Sequence, residues 1–380
     1  MHQQIEAYDF AIFGGGLFGS YAALYLSRKG LKVVLIEKEK NLFTKASIVN
    51  QARLHGGYHY PRSVATAKMS DDNKARFTEE HRPFINFSFK KYYAIDRFGS
   101  LTDAAQFQRF CDFVKIPCRQ IDHHPHISMR RLEALFQTEE YTFDPILIAQ
   151  YYQAKIKESA LIDIKLGTIV QQVEIKGKRW QLDYQQTNGT KGTIVANQVV
   201  NATYAASNTV NQLFDLAPID LMHEISEMVL LSAPALGDLG LTVMDGQFAS
   251  LMPYGKSGLW SLSSVAYTHH KVSYQKKPTF SCQSENLACT PNLPEDCNYC
   301  PARPISNKQK MIQQMRQYFK TEVDFHYFCS LFTIKSKLRA NAIDDGRPTE
   351  IKILHKNPSF YCIFAGKINS IYEFEKVVEL

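Results

Sequence analysis

The clearest order in the chain lies at its start. Residues 8–13 (YDFAIF) and 31–37 (LKVVLIE) are apolar runs of strand length, and between them SYAALYLSRKG places small and apolar residues at helical spacing. A buried strand, a helix and a second buried strand are predicted. Further along, FDPILIAQYYQAKIKES from residue 143 reads as a helix, followed by the strand IDIKLGTIVQQVEI. RWQLDYQQTNGTKGTIVANQVVNA reads as a hairpin turning at Asn188-Gly189, with its last apolar strand ending at Ala202. Between these blocks, KKYYAI (90–95) predicts a strand and Thr102 to Val114 an amphipathic helix. FASLMP and LWSLSSVAY predict a hairpin around Tyr254-Gly255-Lys256-Ser257-Gly258. Near the end, the strand FYCIFAG leads into Gly366-Lys367-Ile368-Asn369, which opens a final helix through IYEFEKVVEL. No internal repeat or low-complexity linker interrupts this order.

The junction of the first strand and helix carries chemistry. Gly14, Gly16 and Gly19 fit a GxGxxG turn, with Leu17 and Phe18 beginning the helix. The three glycines serve a tight turn, approach of backbone to a pyrophosphate at the helix N-terminus, and close packing of helix on strand. Ala23 and Leu26 face the sheet and Gly30 ends the helix. Glu37, 18 residues after Gly19 and followed by Lys38, stands where a carboxylate accepts both hydroxyls of an adenosine ribose. An acid there disfavours a 2′-phosphate. The motif alone leaves FAD and NAD open, but residues 43–63 (FTKASIVNQARLHGGYHYPRS) are polar and glycine-containing where an NAD enzyme more often continues into another helix, which points to a flavin. No second GxGxxG occurs, so the single dinucleotide site is taken and a nicotinamide reductant is not expected.

Composition removes several classes. The 380 residues are 45% hydrophobic, with 44 Lys+Arg against 37 Asp+Glu, a net +7 with no run of five like charges. Disorder and collagen-like repeats are excluded, two or three domains are expected, and nothing points to nucleic acid. MHQQIEAYDFAIF lacks the features of a signal peptide and no apolar run approaches the ~20 residues that span a bilayer, so a cytoplasmic protein without a membrane span is expected. Of eight cysteines, Cys282, Cys289, Cys297 and Cys300 fall in a Pro- and Asn-rich stretch with little hydrophobic periodicity. Such a stretch lacks its own core, and four thiolates around a structural zinc would supply one; free thiols are the next alternative and disulfides the last.

The GxGxxG unit together with the segment at 43–63 resembles the D-amino-acid oxidase-like superfamily of FAD enzymes, which includes glycine and sarcosine oxidases, glycerol-3-phosphate oxidases and L-2-hydroxyglutarate dehydrogenases. The resemblance extends over roughly residues 5–63, 140–208 and 340–378. It implies a mixed α/β (α+β) fold, with a Rossmann-type FAD-binding domain and a discontinuous, sheet-based substrate domain. Residues 1–80, 140–215 and 336–380 would form the first, and 81–139 and 216–335 the second, with a Cys-rich insertion at 280–303. By the same resemblance, Ser47, Asn50, Arg53, Leu54, His55, Gly56 and Gly57 wrap the isoalloxazine, Val170 meets the adenine, and Ala202 lies at the cofactor. The family's Val-Val-Asn-Ala-Ala-Gly is here Val199-Val200-Asn201-Ala202-Thr203-Tyr204, so its glycine is missing and close cofactor approach there is in question.

The reaction implied is hydride transfer from a carbon bearing an amine or hydroxyl to flavin N5, with a small-molecule substrate and oxygen or an electron carrier as acceptor. Arg347 matches the region where amino-acid oxidases hold a substrate carboxylate. His55 is a candidate base or ring-orienting group. Gly366, Lys367 and Ile368, at a helix start, are expected at the flavin N1 edge, Lys367 adding a full charge. UDP-galactopyranose mutases offer a non-redox alternative, being similar at residues 12–38 and 366–378, but their Gly-Gly-Asn signature is replaced here by NLFTKASIVNQARLHGG.

Overall fold

The computed structural model describes residues 5–62, 64, 67, 73–339 and 349–380. Its first elements are β1 (Ile5–Phe13), α1 (Leu17–Arg28) and β2 (Val33–Ile36), paired parallel with Phe10 opposite Val33 and Ile12 opposite Leu35. β1 is the centre of an eight-stranded sheet. On one side it is followed by β2 and Ile162–Lys165, on the other by Lys191–Asn201, Arg179–Gln186 and Thr168–Lys176. Ser359–Phe364 joins parallel to the end of Lys191–Asn201, and Glu350–Lys356 pairs with it in turn.

The alternation of β1 explains its position. Phe10 and Ile12 pack with Leu24 and Leu26 of α1 and with Ile148, Tyr152 and Ile156 of the helix Pro145–Glu158. Ala11 and Phe13 point to the opposite core of Trp180, Leu182, Phe214 and Phe360, to which Tyr8 also belongs. A strand buried on both faces reads as a continuous apolar run, as this one does. Helix Pro145–Glu158 starts because Asp144 accepts from Ile146 N and Leu147 N, both at 3.0 Å, with Pro145 at the first helical position.

A second, nine-stranded sheet is mostly antiparallel and draws its strands from residues 90–138 and 221–338. His326–Leu338 pairs along the whole of Leu221–Ser232, whose other edge is shared by His269–Ser273 and Trp260–Ser264. One face packs Val229, Leu231, Leu241, Leu251 and Leu262 against Met311 and Met315 of the helix Lys308–Arg316. The other face is polar and meets the 47–60 loop. There Gln51 Nε2 donates to Ser263 Oγ at 2.7 Å and Arg53 Nη2 to Thr242 Oγ1 at 3.1 Å.

One local expectation takes a more specific form and one is corrected. The C-terminal helix is present as a 3₁₀ helix, Ile368–Lys376. Ile368, Ile371, Phe374 and Val377 recur every third residue, the period that eclipses in a 3₁₀ helix, and all belong to or pack against the core on α1. The Cys-rich segment, in turn, does have a core. Phe280, Cys282 and Cys297 are buried against Ile225, Phe332 and Ile334 of the second sheet, so the two thiols act as small hydrophobes.

Burial also creates a pH-dependent element. His223 is fully buried, with Nδ1 2.7 Å from Ser336 Oγ, and desolvation holds its pKa at about 4. An unfolded histidine takes its proton near pH 6.5, so between pH 6.5 and 4 the unfolded state binds the extra proton. Stability then falls as the pH falls, by about 3 kcal/mol over the window, and is fully present above it. The Tm advantage of the wild type over His223→Gln is expected to shrink from pH 7 to pH 4; a constant difference would overturn this assignment.

Candidate functional site

Between the two sheets runs a cavity of about 650 Å³, within the range of small-molecule and cofactor sites. It begins where β1 passes into α1. Gly14 has φ +99°, and a Cβ on it would come within 2.7 Å of the Ala202 carbonyl oxygen; a Cβ on Gly16 would meet Ser47 Oγ at 2.8 Å. The backbone is therefore bare where a phosphate would approach the N-terminus of α1. Gly19 does not line the cavity; its bare Cα lets α1 sit against the turn.

The Glu37 carboxylate accepts from Gly15 N at 2.7 Å and Glu39 N at 2.9 Å, which fixes it at the end of β2 while lone pairs remain for further donors. Glu37, Lys38 and Val170 line this end of the cavity, and Leu17, Phe18 and Ala202 line the turn.

Of the 43–63 segment, Ser47, Asn50, Arg53 and His55 line the cavity. There Ser47 Oγ accepts from Leu17 N at 3.0 Å at the start of α1. Asn50 spends its side chain on the loop itself, accepting from Ala52 N at 2.7 Å and donating to Ser47 O at 3.0 Å. Arg53 lines the cavity, but its guanidinium turns to the second sheet, bonding Thr242 and Ser250 and lying 3.5 Å from Glu140. Leu54 and Gly56 lie behind the cavity wall. Leu54 is in the core on α1, while Gly56 N donates to Glu140 Oε1 at 3.2 Å.

At the far end His55, Gly366, Lys367 and Ile368 line the cavity together. His55 Nδ1 is 4.0 Å from Glu140, and the His55 ring centroid is 5.9 Å from that of Tyr60, over which Lys367 Nζ stands at 4.5 Å. Gly366 N donates to Thr349 Oγ1 at 2.8 Å, anchoring the turn before the 3₁₀ helix. Arg347 lies outside the described residues.

Beneath this end is a buried polar cluster not foreseen from the sequence. Tyr93 Oη donates to Glu140 Oε2 at 2.7 Å, and Lys91 Nζ donates to Thr242 Oγ1. Burial pushes the Lys91 ammonium well below its ordinary pKa, with Arg53 beside it acting in the same sense. Burial and then Glu140 push the Tyr93 hydroxyl well up. Its members come from three segments distant in sequence, so no local pattern signals them.

Position 204, where the family's glycine is missing, still takes the left-handed conformation, with φ +52° at Tyr204. The ring lines the cavity, stacks on Phe364 at 5.6 Å, and Oη donates to Ser336 O at 2.9 Å, contacts that offset the backbone strain.

All eight cysteines are free. Among the described residues no group of three or more His, Cys, Asp or Glu is arranged to hold a metal ion, so the zinc expectation finds no support. Cys289 Sγ accepts from Glu295 N at 3.4 Å and Cys300 Sγ from Asn286 Nδ2 at 3.3 Å, while burial and the neighbouring Cys289 push Cys297 up to about 12. No helix among the described residues is long and apolar enough to cross a membrane.

Comparison with known proteins agrees with this geometry. A family described as FAD dependent oxidoreductase matches residues 9–330. The FAD-dependent monooxygenase FPY4 of Fusarium mangiferae is 23% identical over 381 residues, covering 99% of this chain and 92% of that protein. Among solved structures, L-alpha-glycerophosphate oxidase from Mycoplasma pneumoniae superposes with a TM-score of 0.71 at 15% identity, covering 98% of this chain and 93% of that one. Glycine oxidase from Geobacillus kaustophilus gives 0.65 at 16% identity, covering 96% and 91%.

Proposed function

The chain belongs to the FAD dependent oxidoreductase (DAO) family, and from that premise we propose that it oxidises a small molecule at a carbon bearing an amine or a hydroxyl, oxygen or an electron carrier then removing the electrons. The observation that carries this reading is the continuity of one cavity of about 650 Å³ lined by Glu37 and Lys38, by the Gly14–Phe18 turn, and by His55, Lys367 and the second-sheet residues Thr333 to Lys335. The residues fit FAD. Glu37 is oriented toward a ribose, Gly14 and Gly16 leave room for phosphates, and Gly366–Ile368 closes the other end. FAD supplies the hydride acceptor. The match to an oxidoreductase family favours this over the sugar-nucleotide mutase reading, and the strand membership of the two sheets supports a cofactor unit of 1–80, 140–215 and 336–380 beside a substrate unit of 81–139 and 216–335.

In this assignment His55 stands at the substrate, with Glu140 4.0 Å from its Nδ1. Lys367 brings positive charge to the pyrimidine edge and favours the more negative, reduced state of the cofactor. Arg347 is assigned to a substrate carboxylate on the family resemblance alone. Anaerobic mixing with candidate amines, hydroxy acids and sugar nucleotides tests the class: loss of the yellow absorbance with an amine or hydroxy acid is expected, and inertness to both with turnover of a sugar nucleotide would overturn it. Lys367→Met is expected to retain FAD and lower its two-electron potential by roughly 30 mV, equivalent to about 1.4 kcal/mol. An unchanged potential would remove Lys367 from the site.

A further inference from the structure

The Cys-rich segment reaches the cofactor cleft at the end opposite His55. The Pro294 carbonyl accepts from Lys38 Nζ at 2.8 Å and from Lys45 Nζ at 2.9 Å. Both ammoniums also pair with Glu39, at 2.9 and 2.7 Å. Lys38 follows the ribose acid Glu37, and Lys45 lies two residues before Ser47 at the start of α1. A segment some 250 residues distant in sequence is thereby hooked across the mouth of the dinucleotide end.

On its other flank, Lys277 Nζ donates to Gln212 Oε1 and to Asn292 Oδ1, joining the segment to the helix Ser207–Leu213. Its root is fixed: Asn298 Oδ1 accepts from Phe332 N at 2.7 Å, and Cys282 and Cys297 are packed in their small core. Between the root and the hooks, residues 288–296 form no helix or strand. Asn292, Leu293, Pro294 and Glu295 line the cavity. Thr290 and Leu293 exchange backbone hydrogen bonds and Glu295 N donates to Cys289 Sγ, bonds internal to the stretch. Its attachment to the dinucleotide end therefore runs through the lysine hooks, and such a stretch opens locally at lower cost than its packed root.

We propose that residues 292–295 form a strap over the adenosine half of bound FAD, latched by Lys38 and Lys45, and that lifting this strap limits release of the dinucleotide. The proposal rests on the FAD reading above. Two cations, both paired with Glu39, converge on a single carbonyl whose two lone pairs are both used, so loss of one lysine leaves the other hook in place and loss of both frees the strap.

The test follows FAD release from the holoprotein by the gain of flavin fluorescence on dilution, together with hydrogen exchange of residues 288–296. Each charge-assisted hydrogen bond is worth about ten-fold, so the Lys38→Met/Lys45→Met double variant is expected to release FAD about a hundred-fold faster, with faster exchange in 288–296. Lys277→Met leaves both lysines at the ribose end and loosens the opposite flank; a smaller rise in both readouts is expected, and it carries the test if the double variant does not fold. Release unchanged in these variants overturns the latch. Faster release with unchanged exchange also overturns it, since the lysines would then act on the cofactor directly. A wild-type protein that binds no FAD overturns the cofactor reading itself, a result distinct from both.

Discussion

Glu37→Arg is expected to yield a colourless protein. The wild-type carboxylate holds two backbone amides, Gly15 N and Glu39 N, and both lose their acceptor in the variant. Gly15 lies within the GxGxxG turn, so the same change disturbs the phosphate end and the ribose end. A buried donor left without a partner costs about 1–3 kcal/mol, and the guanidinium adds a cation beside Lys38 and Lys45, which already share one carboxylate. Two ribose hydroxyls would face a donor instead of an acceptor. Together these effects exceed a thousand-fold in affinity by roughly 1.4 kcal/mol per ten-fold. FAD content measured by absorbance after denaturation decides the matter; a Glu37→Arg protein carrying wild-type FAD would show that Glu37 does not face the cofactor. Glu37→Gln retains an acceptor and is expected to lose far less.

How much of this was legible follows from the distance over which each feature is determined. The β1–α1–β2 unit is specified within its own residues, since three glycines, a both-sides-buried strand pattern and a terminal acid all act locally, and its elements fall within three residues of the expected ends. The 47–60 loop was identified as a unit, but the duties of its side chains were not. Ser47 caps α1, Asn50 braces a turn around Ala52, whose φ is +53°, and Arg53 is drawn away by hydroxyls on Thr242 and Ser250, nearly two hundred residues later. Nothing in the local pattern encodes such partners. The same holds for Glu140 and for the Pro294 carbonyl, which carries no side-chain signal at all. By contrast, the 3₁₀ helix was encoded openly in the three-residue repeat of Ile368, Ile371, Phe374 and Val377, a period easily absorbed into the 3.6 of an α-helix. The zinc expectation finds no support among the described residues, and the partners of Cys282 and Cys297 are Phe332 and Ile334 on a strand that follows them, so a segment without internal periodicity borrows its core from a neighbour. Tyr204 shows that a missing glycine need not mean a missing conformation when ring stacking holds the backbone in place.

Gly19→Ala is expected to remove FAD and to lower stability, although it adds one methyl group to a residue type that favours helix. An added Cβ would lie 1.9 Å from the Gly14 carbonyl oxygen, 3.1 Å from the Gly14 carbonyl carbon and 3.4 Å from Ala202 Cβ. The obstruction is mainly backbone, so no rotamer change relieves it. Gly14 cannot retreat freely, because its N–H donates to Ile36 O at 2.9 Å and its own space is bounded by Ala202 O. Either α1 moves off the sheet, opening the core of Phe10, Leu24 and Leu35, or the turn moves and the bare backbone at Gly14 and Gly16 is lost to the phosphates. Overpacking of this kind costs about 1–3 kcal/mol even where side chains can yield, and here it exceeds the few tenths to 1 kcal/mol gained from the helix preference of alanine. Gly30→Ala provides the contrast. Its φ is +82° but nothing lies within 4 Å of an added Cβ, so it carries only the left-handed strain of about 1–2 kcal/mol and is expected to keep its FAD. Tm and FAD content of the two variants separate the cases; a yellow Gly19→Ala protein with the Tm of the wild type would mean that α1 does not sit against the Gly14 turn.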